Sequence, residues 1–128
     1  RKIMKNPEYL YYTKEHEWLK MDGVVATVGI TNHAAEQLGD LVFVELPNEK
    51  RAVSLGEEIV VIESVKAASD IQAPADGTIL EVNKNIVEDP NLVNSDPLGA
   101  GWFFKMEITD PSILDTMMDE VEYLDFIS

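Results

Sequence analysis

The stretch Glu63-Ser64-Val65-Lys66-Ala67-Ala68-Ser69-Asp70-Ile71 joins two segments that are rich in strand-forming residues. Residues 58–63 precede it and residues 68–73 follow almost at once, so the chain must reverse tightly between Ser64 and Ala67. Lys66 is therefore predicted to lie at the tip of a β-hairpin. Its neighbours are small and leave the amine uncrowded, although a lysine at such a position is most often an ordinary solvated charge.

Outward from this hairpin, the chain continues as short predicted strands separated by turns. Residues 17–21 and 24–30 flank Asp22-Gly23, which is a strong signal for a two-residue hairpin turn. Further strands are predicted over residues 41–46, 78–83 and 102–108. Residues 48–55 and 84–101 are predicted to be polar connectors, the second of them with a helical turn over residues 91–94. The apolar residues of 41–46 fall on both faces, so this strand is expected to be covered on both sides. Many short strands with Gly and Pro turns predict a small β-barrel or sandwich.

Helix signals occur at two places. Thr31 offers an N-cap hydroxyl for a short helix over residues 32–38, which Gly39 ends. Near the C-terminus, Asp110-Pro111 combines an N-cap with a proline at the first helical position. Asp119 is predicted to cap a second short helix, and the apolar residues between 113 and 124, at helical spacing, are expected to face the core.

Composition narrows the possible functions. The chain has 128 residues, the usual size of one domain, and 24 acidic against 10 basic residues give a net charge of −14. A nucleic-acid backbone would be repelled, so nucleic-acid binding is not expected. The apolar runs are too short to span a bilayer, and no membrane association is predicted. Without cysteine, the chain has neither disulfides nor a thiol nucleophile of its own.

No self-sufficient active site can be recognised in the sequence. The two histidines, His16 and His33, do not have the spacing of a metal site, and no phosphate loop or nucleophile elbow is present. Carboxylates are so abundant that chance pairs carry no information about general acid and base catalysis. We therefore predict no catalytic residue and no metal ligand in this chain.

The residues around Lys66 resemble the lipoyl-attachment motif. Ile71 lies five residues after the lysine, Gly77 lies eleven residues after it, and Gly56 precedes it at the expected place. Biotin carriers usually place a methionine on each side of the modified lysine, whereas Val65 and Ala67 stand at these positions here. The motif therefore favours a lipoyl carrier.

Several separate blocks, in the same order along the chain, resemble the H-protein family of the glycine cleavage system. These blocks are Tyr12-Thr13-Lys14-Glu15-His16-Glu17-Trp18, Val28-Gly29-Ile30-Thr31, Leu38-Gly39-Asp40-Leu41-Val42-Phe43-Val44-Glu45-Leu46-Pro47, Asn91-Leu92-Val93-Asn94-Ser95-Asp96-Pro97 and Gly99-Ala100-Gly101-Trp102. The sequence departs from the family pattern at two places only: residues 48–51 are more charged than is typical of the family, and residues 1–8 have no counterpart in it.

The resemblance implies a mainly β fold, a barrel-sandwich hybrid of two small antiparallel sheets with flanking short helices and a C-terminal helix. Residues 1–128 would form a single lipoyl-carrier domain, with a flexible N-terminal extension over residues 1–8 and a C-terminal helical segment over residues 110–128. Lys66 would carry lipoic acid as an amide. The chain would be a non-catalytic carrier and a monomer, located in the cytoplasm of a bacterium or the mitochondrial matrix of a eukaryote.

The resemblance also implies the partners. Glycine decarboxylase (P protein), which uses pyridoxal phosphate, would load the aminomethyl group of glycine onto the arm. Aminomethyltransferase (T protein) would pass the one-carbon unit to tetrahydrofolate, and dihydrolipoyl dehydrogenase (L protein) would reoxidise the arm. A lipoyl ligase or octanoyltransferase would modify Lys66.

Two alternatives remain open at this point. An H-like protein could relay lipoyl groups to other complexes, with the same lysine but different clients. A structural sandwich in which Lys66 is an ordinary turn residue would not be modified in any host.

Overall fold

The computed structural model describes residues 9–128, and the predicted N-terminal extension over residues 1–8 lies outside the described residues. The strands are β1 (Leu10–Tyr12), β2 (Glu17–Asp22), β3 (Val25–Ile30), β4 (Leu41–Glu45), β5 (Ala52–Val53), β6 (Glu58–Ser64), β7 (Ala68–Gln72), β8 (Gly77–Val82) and β9 (Phe104–Ile108). The helices are α1 (Asn32–Leu38), α2 (Asn85–Glu88), α3 (Asn91–Ser95), a 3₁₀ helix (Pro111–Thr116) and α4 (Glu120–Ile127).

The strands form two antiparallel sheets. One has six strands in the order β1-β2-β3-β9-β8-β5, and the other has three strands in the order β4-β6-β7. Helix α1 connects the two sheets, from β3 to β4. The predicted fold class, mainly β with two antiparallel sheets, short helices and a C-terminal helix, is confirmed.

The main core is built from side chains of both sheets. Leu19, Ile79 and Met106 of the larger sheet and Ile62 of the smaller sheet are fully buried in one continuous cluster. Burying an aliphatic side chain of this size contributes about 1.5–3 kcal/mol. The two sheets therefore hold each other in place, and the β6–β7 hairpin projects from a rigid support.

The predicted hairpin between the second and third strands is confirmed, but its turn is shifted by one residue. Asp22 pairs with Val25, so the turn residues are Gly23 and Val24 and not Asp22 and Gly23. Gly23 has φ +64°, whereas Val24 has an ordinary φ. A positive φ at the first turn residue alone is the requirement of a type II′ turn, which places glycine first.

The expectation that residues 41–46 are covered on both sides is wrong. The ladder between β4 and β6 has a bulge between Leu41 and Phe43, and only Leu41 and Val44 are buried. A bulge puts an extra residue into one strand and changes which side chains face inward. As a result, Val42 and Phe43 lie exposed on the surface.

The connectors contain more structure than their composition predicted. Strand β5 lies in the polar segment 48–55 and adds an edge to the larger sheet by pairing with β8. In the segment 84–101, the predicted helical turn is present as α3, and α2 precedes it unpredicted. Both short helices bury one apolar residue, Ile86 and Val93. Tertiary packing thus orders segments whose local composition indicates loops.

The C-terminal segment has the predicted caps. Asp110 accepts a hydrogen bond from the backbone of Ser112, although the helix it begins is of the 3₁₀ type, and Asp119 caps α4. The expected core-facing stripe is only partly correct: Met117 is buried, but Val121 and Leu124 are exposed. No helix between residues 9 and 128 is both long and apolar enough to cross a membrane.

Candidate functional site

The tip of the β6–β7 hairpin is a compact turn closed by Ser64. The Ser64 Oγ accepts hydrogen bonds from the backbone N–H groups of Lys66 and Ala67, both at 3.1 Å. The Ser64 backbone N–H donates to the Ala67 carbonyl at 2.8 Å, which closes the reversal. The predicted position of Lys66 at a hairpin tip is thereby confirmed, and its side chain is exposed.

The loop between α1 and β4 supports this tip. The Val65 backbone N–H donates to the Asp40 carbonyl at 2.9 Å. The Lys66 side chain extends along the loop: its Nζ lies 3.5 Å from the Gln37 carbonyl, and a Cβ on Gly39 would lie 3.2 Å from its Cε. Gly39 has φ +79°, a conformation that favours glycine. Two features thus favour glycine at this position, the backbone angle and the space taken by the lysine.

Asn94 of α3 holds the same loop from the other side. Its Nδ2 donates to the Gly39 carbonyl at 2.8 Å, and its Oδ1 accepts from the Leu41 backbone N–H at 2.9 Å. A side-chain amide that satisfies a backbone donor and a backbone acceptor fixes the path of a loop. Asn94 therefore positions the support of the hairpin without approaching Lys66 itself.

A cleft of about 210 Å³ lies beside the hairpin, bounded by α1 and β7. Apolar side chains and carboxylates both line it: Ile30, Ala34, Leu38, Ile62 and Ile71, together with Glu15, Glu17 and Asp70. Gln37, whose carbonyl lies 3.5 Å from the lysine amine, is also part of the lining. Lys66 is not itself a lining residue, but its amine contacts a residue that is.

Glu17 is the unusual group in the cleft. Only 3% of the residue is exposed, and its carboxylate accepts a hydrogen bond from the Thr13 hydroxyl at 3.1 Å. Burial raises the pKa of Glu17 to about 7, against the lowering effect of the Thr13 and Gln72 hydrogen bonds. The cleft thus contains a carboxyl group that changes its charge near neutral pH.

The two histidines lie together, although nothing in their spacing suggested it. The rings of His16 and His33 are 4.9 Å apart, and His16 Nδ1 lies 2.8 Å from the Tyr123 hydroxyl. That hydroxyl also lies 2.8 Å from the Thr31 hydroxyl, and the Tyr123 ring stacks on Tyr12. Burial, and then the adjacent His33, lower the pKa of His16. This cluster attaches α4 to the sheet and is separate from the hairpin.

The comparisons with known proteins agree with this architecture. The family model described as "Glycine cleavage H-protein" matches residues 10–128. The chain belongs to the glycine cleavage H-protein family. A crystal structure of a glycine cleavage system H protein from Mycobacterium marinum superimposes with a TM-score of 0.82 at 38% sequence identity, and the match covers 97% of this chain and 98% of that chain.

Membership of the H-protein family gives the chain a lipoyl carrier role in glycine cleavage, as a carrier protein that interacts with enzymes of that system. The sequence identified the hairpin and its lysine, but not Asn94 or Glu17. A buried glutamate between Thr13 and Trp18 has no local signature, because its burial depends on α1 and β7, which are distant in sequence. Asn94 was visible only as part of a polar connector.

Proposed function

We propose that Lys66 is the attachment site of lipoic acid and that this chain carries the aminomethyl group of glycine between enzymes. It receives the group from the P protein, delivers it to the T protein, and is returned to the oxidised state by the L protein. A lipoyl group would supply a disulfide that reacts and is regenerated. We further propose that residues 1–128 act as a single, monomeric carrier domain without catalytic residues of its own.

The observation that carries this proposal is the combination of an exposed lysine with a rigid support. Among residues 9–128, no carboxylate lies within ion-pairing distance of the Lys66 amine, whose 3.5 Å contact with the Gln37 carbonyl is at the limit of a hydrogen bond. Acylation of this amine would therefore disrupt no structural interaction of consequence. A tethered group on a fixed hairpin is also presented at high effective concentration to each docked enzyme.

The cleft beside the hairpin fits an arm attached at Lys66. Its apolar wall, which includes Leu38, Ile62 and Ile71, suits a hydrocarbon chain. The carboxylate of Asp70, and Glu17 in its ionised form, would attract an amine at the end of such an arm. Together these side chains could bind an arm that carries the aminomethyl group and shield it from solvent while the carrier passes from one enzyme to the next.

The test is Lys66→Arg. Arginine keeps the positive charge, but its guanidinium is not an amine that a ligase can acylate, so both lipoylation and carrier activity should be abolished. Stability should change by less than about 0.5 kcal/mol, as for most exposed positions. Intact mass after treatment with a lipoyl ligase, glycine–carbon dioxide exchange with the decarboxylase, and a thermal melt measure the three effects.

The matched control is Lys84→Arg, another exposed lysine outside the hairpin. This variant should gain the lipoyl mass on the peptide containing Lys66 and support exchange at the wild-type rate. If Lys66→Arg were as active as wild type, the attachment site would lie elsewhere. A wild-type protein that is lipoylated but does not support exchange would favour the relay of lipoyl groups to other complexes.

A further inference from the structure

The outer face of the three-stranded sheet has an apolar surface that nothing between residues 9 and 128 covers. Val42, Phe43 and Val65 are 57%, 43% and 66% exposed, and we name them the Phe43 patch. The residue pattern of β4 resembles that of a strand covered on both sides, but the structure covers only one side. Exposed apolar clusters of this kind usually mark an interaction surface.

The patch is next to the β6–β7 hairpin, which contains Lys66. Phe43 pairs directly with Glu63 across the ladder, three residues before Lys66, and side chains opposite each other in an antiparallel pair lie about 4.5–5.5 Å apart. Val65 precedes the lysine, and its backbone is bonded to Asp40, two residues before Val42. The three apolar residues therefore lie on two segments, residues 40–43 and 63–65, that are hydrogen-bonded to each other beside the lysine.

Apart from Lys66 in the turn, the charged side chains of this sheet are all acidic. Strands β4, β6 and β7 contain the carboxylates of Glu45, Glu58, Glu63 and Asp70 and no lysine or arginine. A complementary surface would have an apolar centre, to receive Phe43, and a basic rim. Such an arrangement, with an aromatic side chain at the centre and charges at the edge, is typical of specific protein interfaces.

We propose that the Phe43 patch is the docking surface for the enzyme that acylates Lys66. This inference rests on the proposed attachment site. An enzyme that forms an amide at Nζ must bring its reacting carbon within about 3–3.5 Å of that atom, so it must cover the hairpin and the side chains beside it. Enzymes that act at the far end of the arm have no such requirement, since the arm separates their active sites from the hairpin.

The test is the acylation of Phe43→Ser by the ligase, followed by intact mass at several carrier concentrations. Loss of a central aromatic anchor should lower kcat/KM by at least about tenfold, mainly through KM. Phe43→Leu keeps an apolar group and should recover most of the rate. The matched control is Phe126→Ser on α4: Phe126 is 45% exposed but lies outside this sheet, and the variant should be acylated like wild type.

Two further measurements separate docking from damage to the fold. A small activated ester, which needs no docking surface, should acylate Lys66 at the same rate in all variants. If Phe43→Ser does not fold, Val42→Ser and its control Leu55→Ser replace it, since both positions are 57% exposed. Val42→Ser should then show the loss of kcat/KM and Leu55→Ser should not.

Equal kcat/KM for Phe43→Ser and Phe126→Ser would overturn the docking proposal. The proposal would also be overturned if the wild-type protein were a dimer, and if Phe43→Ser were a monomer that is acylated at the wild-type rate. The patch would then be covered by a second copy of the chain. A wild-type protein that the ligase does not acylate on Lys66 would instead refute the attachment site. The two proposals therefore fail in different ways.

Discussion

At the scale of the residue, Glu17 shows how the fold changes the chemistry of an ordinary side chain. Its carboxyl group lies in the cleft next to the hairpin, where burial raises its pKa to about 7. In the unfolded chain the same group titrates near 4.5. Between these two values the folded state binds more protons than the unfolded state, so the contribution of Glu17 to stability falls as pH rises.

This difference predicts the effect of Glu17→Gln. The predicted quantity is the free energy of unfolding of wild type minus that of the variant. This difference should decrease by about 3 kcal/mol between pH 4.5 and pH 7 and should change little outside this window. Urea unfolding at a series of pH values measures it. Glu88→Gln, at an exposed carboxyl outside the cleft, is the control and should run parallel to wild type. If the free energy of unfolding of Glu17→Gln also ran parallel to that of wild type across this pH range, Glu17 would not be protonated in the folded state near pH 6.

At the scale of the element, helix α4 depends on a reciprocal cap. Asp119 accepts a hydrogen bond from the Glu122 backbone at 2.8 Å, and Glu122 accepts one from the Asp119 backbone at 2.9 Å. The helix has eight residues, which is too short to be stable alone. Its only buried residue is Tyr123, which joins it to Tyr12, His16 and Thr31.

We therefore predict that Asp119→Ala destabilises the protein by about 1 kcal/mol, the usual cost of losing an N-cap. The midpoint of urea unfolding measures this loss. Asp115→Ala, in the preceding 3₁₀ helix, removes the same charge without a cap and should change stability by less than about 0.5 kcal/mol. Equal effects of the two variants would attribute the loss to net charge and not to capping.

At the scale of the whole molecule, the charge distribution is uneven. The net charge is −14, and no lysine or arginine follows Lys105. Glu107, Asp110, Asp119 and Glu120 belong to this final segment. A negative electrostatic field increases the rate at which a partner with a basic surface associates with the carrier. It has a smaller effect on the stability of the complex that then forms.

Salt should therefore slow the reactions of the carrier. Charges more than about 8 Å apart are screened at physiological ionic strength, so kcat/KM for reoxidation of the lipoylated carrier by the dehydrogenase should fall as salt rises, with kcat nearly constant. Free dihydrolipoamide, which lacks the protein surface, is the control substrate. A carrier reaction no more sensitive to salt than this small substrate would contradict electrostatic docking.

Much of the site could be predicted from local sequence. Strand-forming residues on both sides of Ser64 and Lys66 require a hairpin, and the caps at Thr31 and Asp119 begin helices where predicted. These features depend on backbone angles and hydrogen bonds within a few residues. They are therefore encoded in the segment that forms them.

By itself, then, the sequence determined seven of the nine strands, all except β1 and β5, together with the capped helices and the position of Lys66 at a turn. Only the tertiary structure decided that Glu17 is buried, that Asn94 supports the hairpin loop and that Phe43 is exposed. The burial of a side chain and its long-range partners depend on which distant segments pack against it. A bulge of one residue in β4 was enough to reverse the predicted burial of Phe43, because inward and outward positions alternate along a strand.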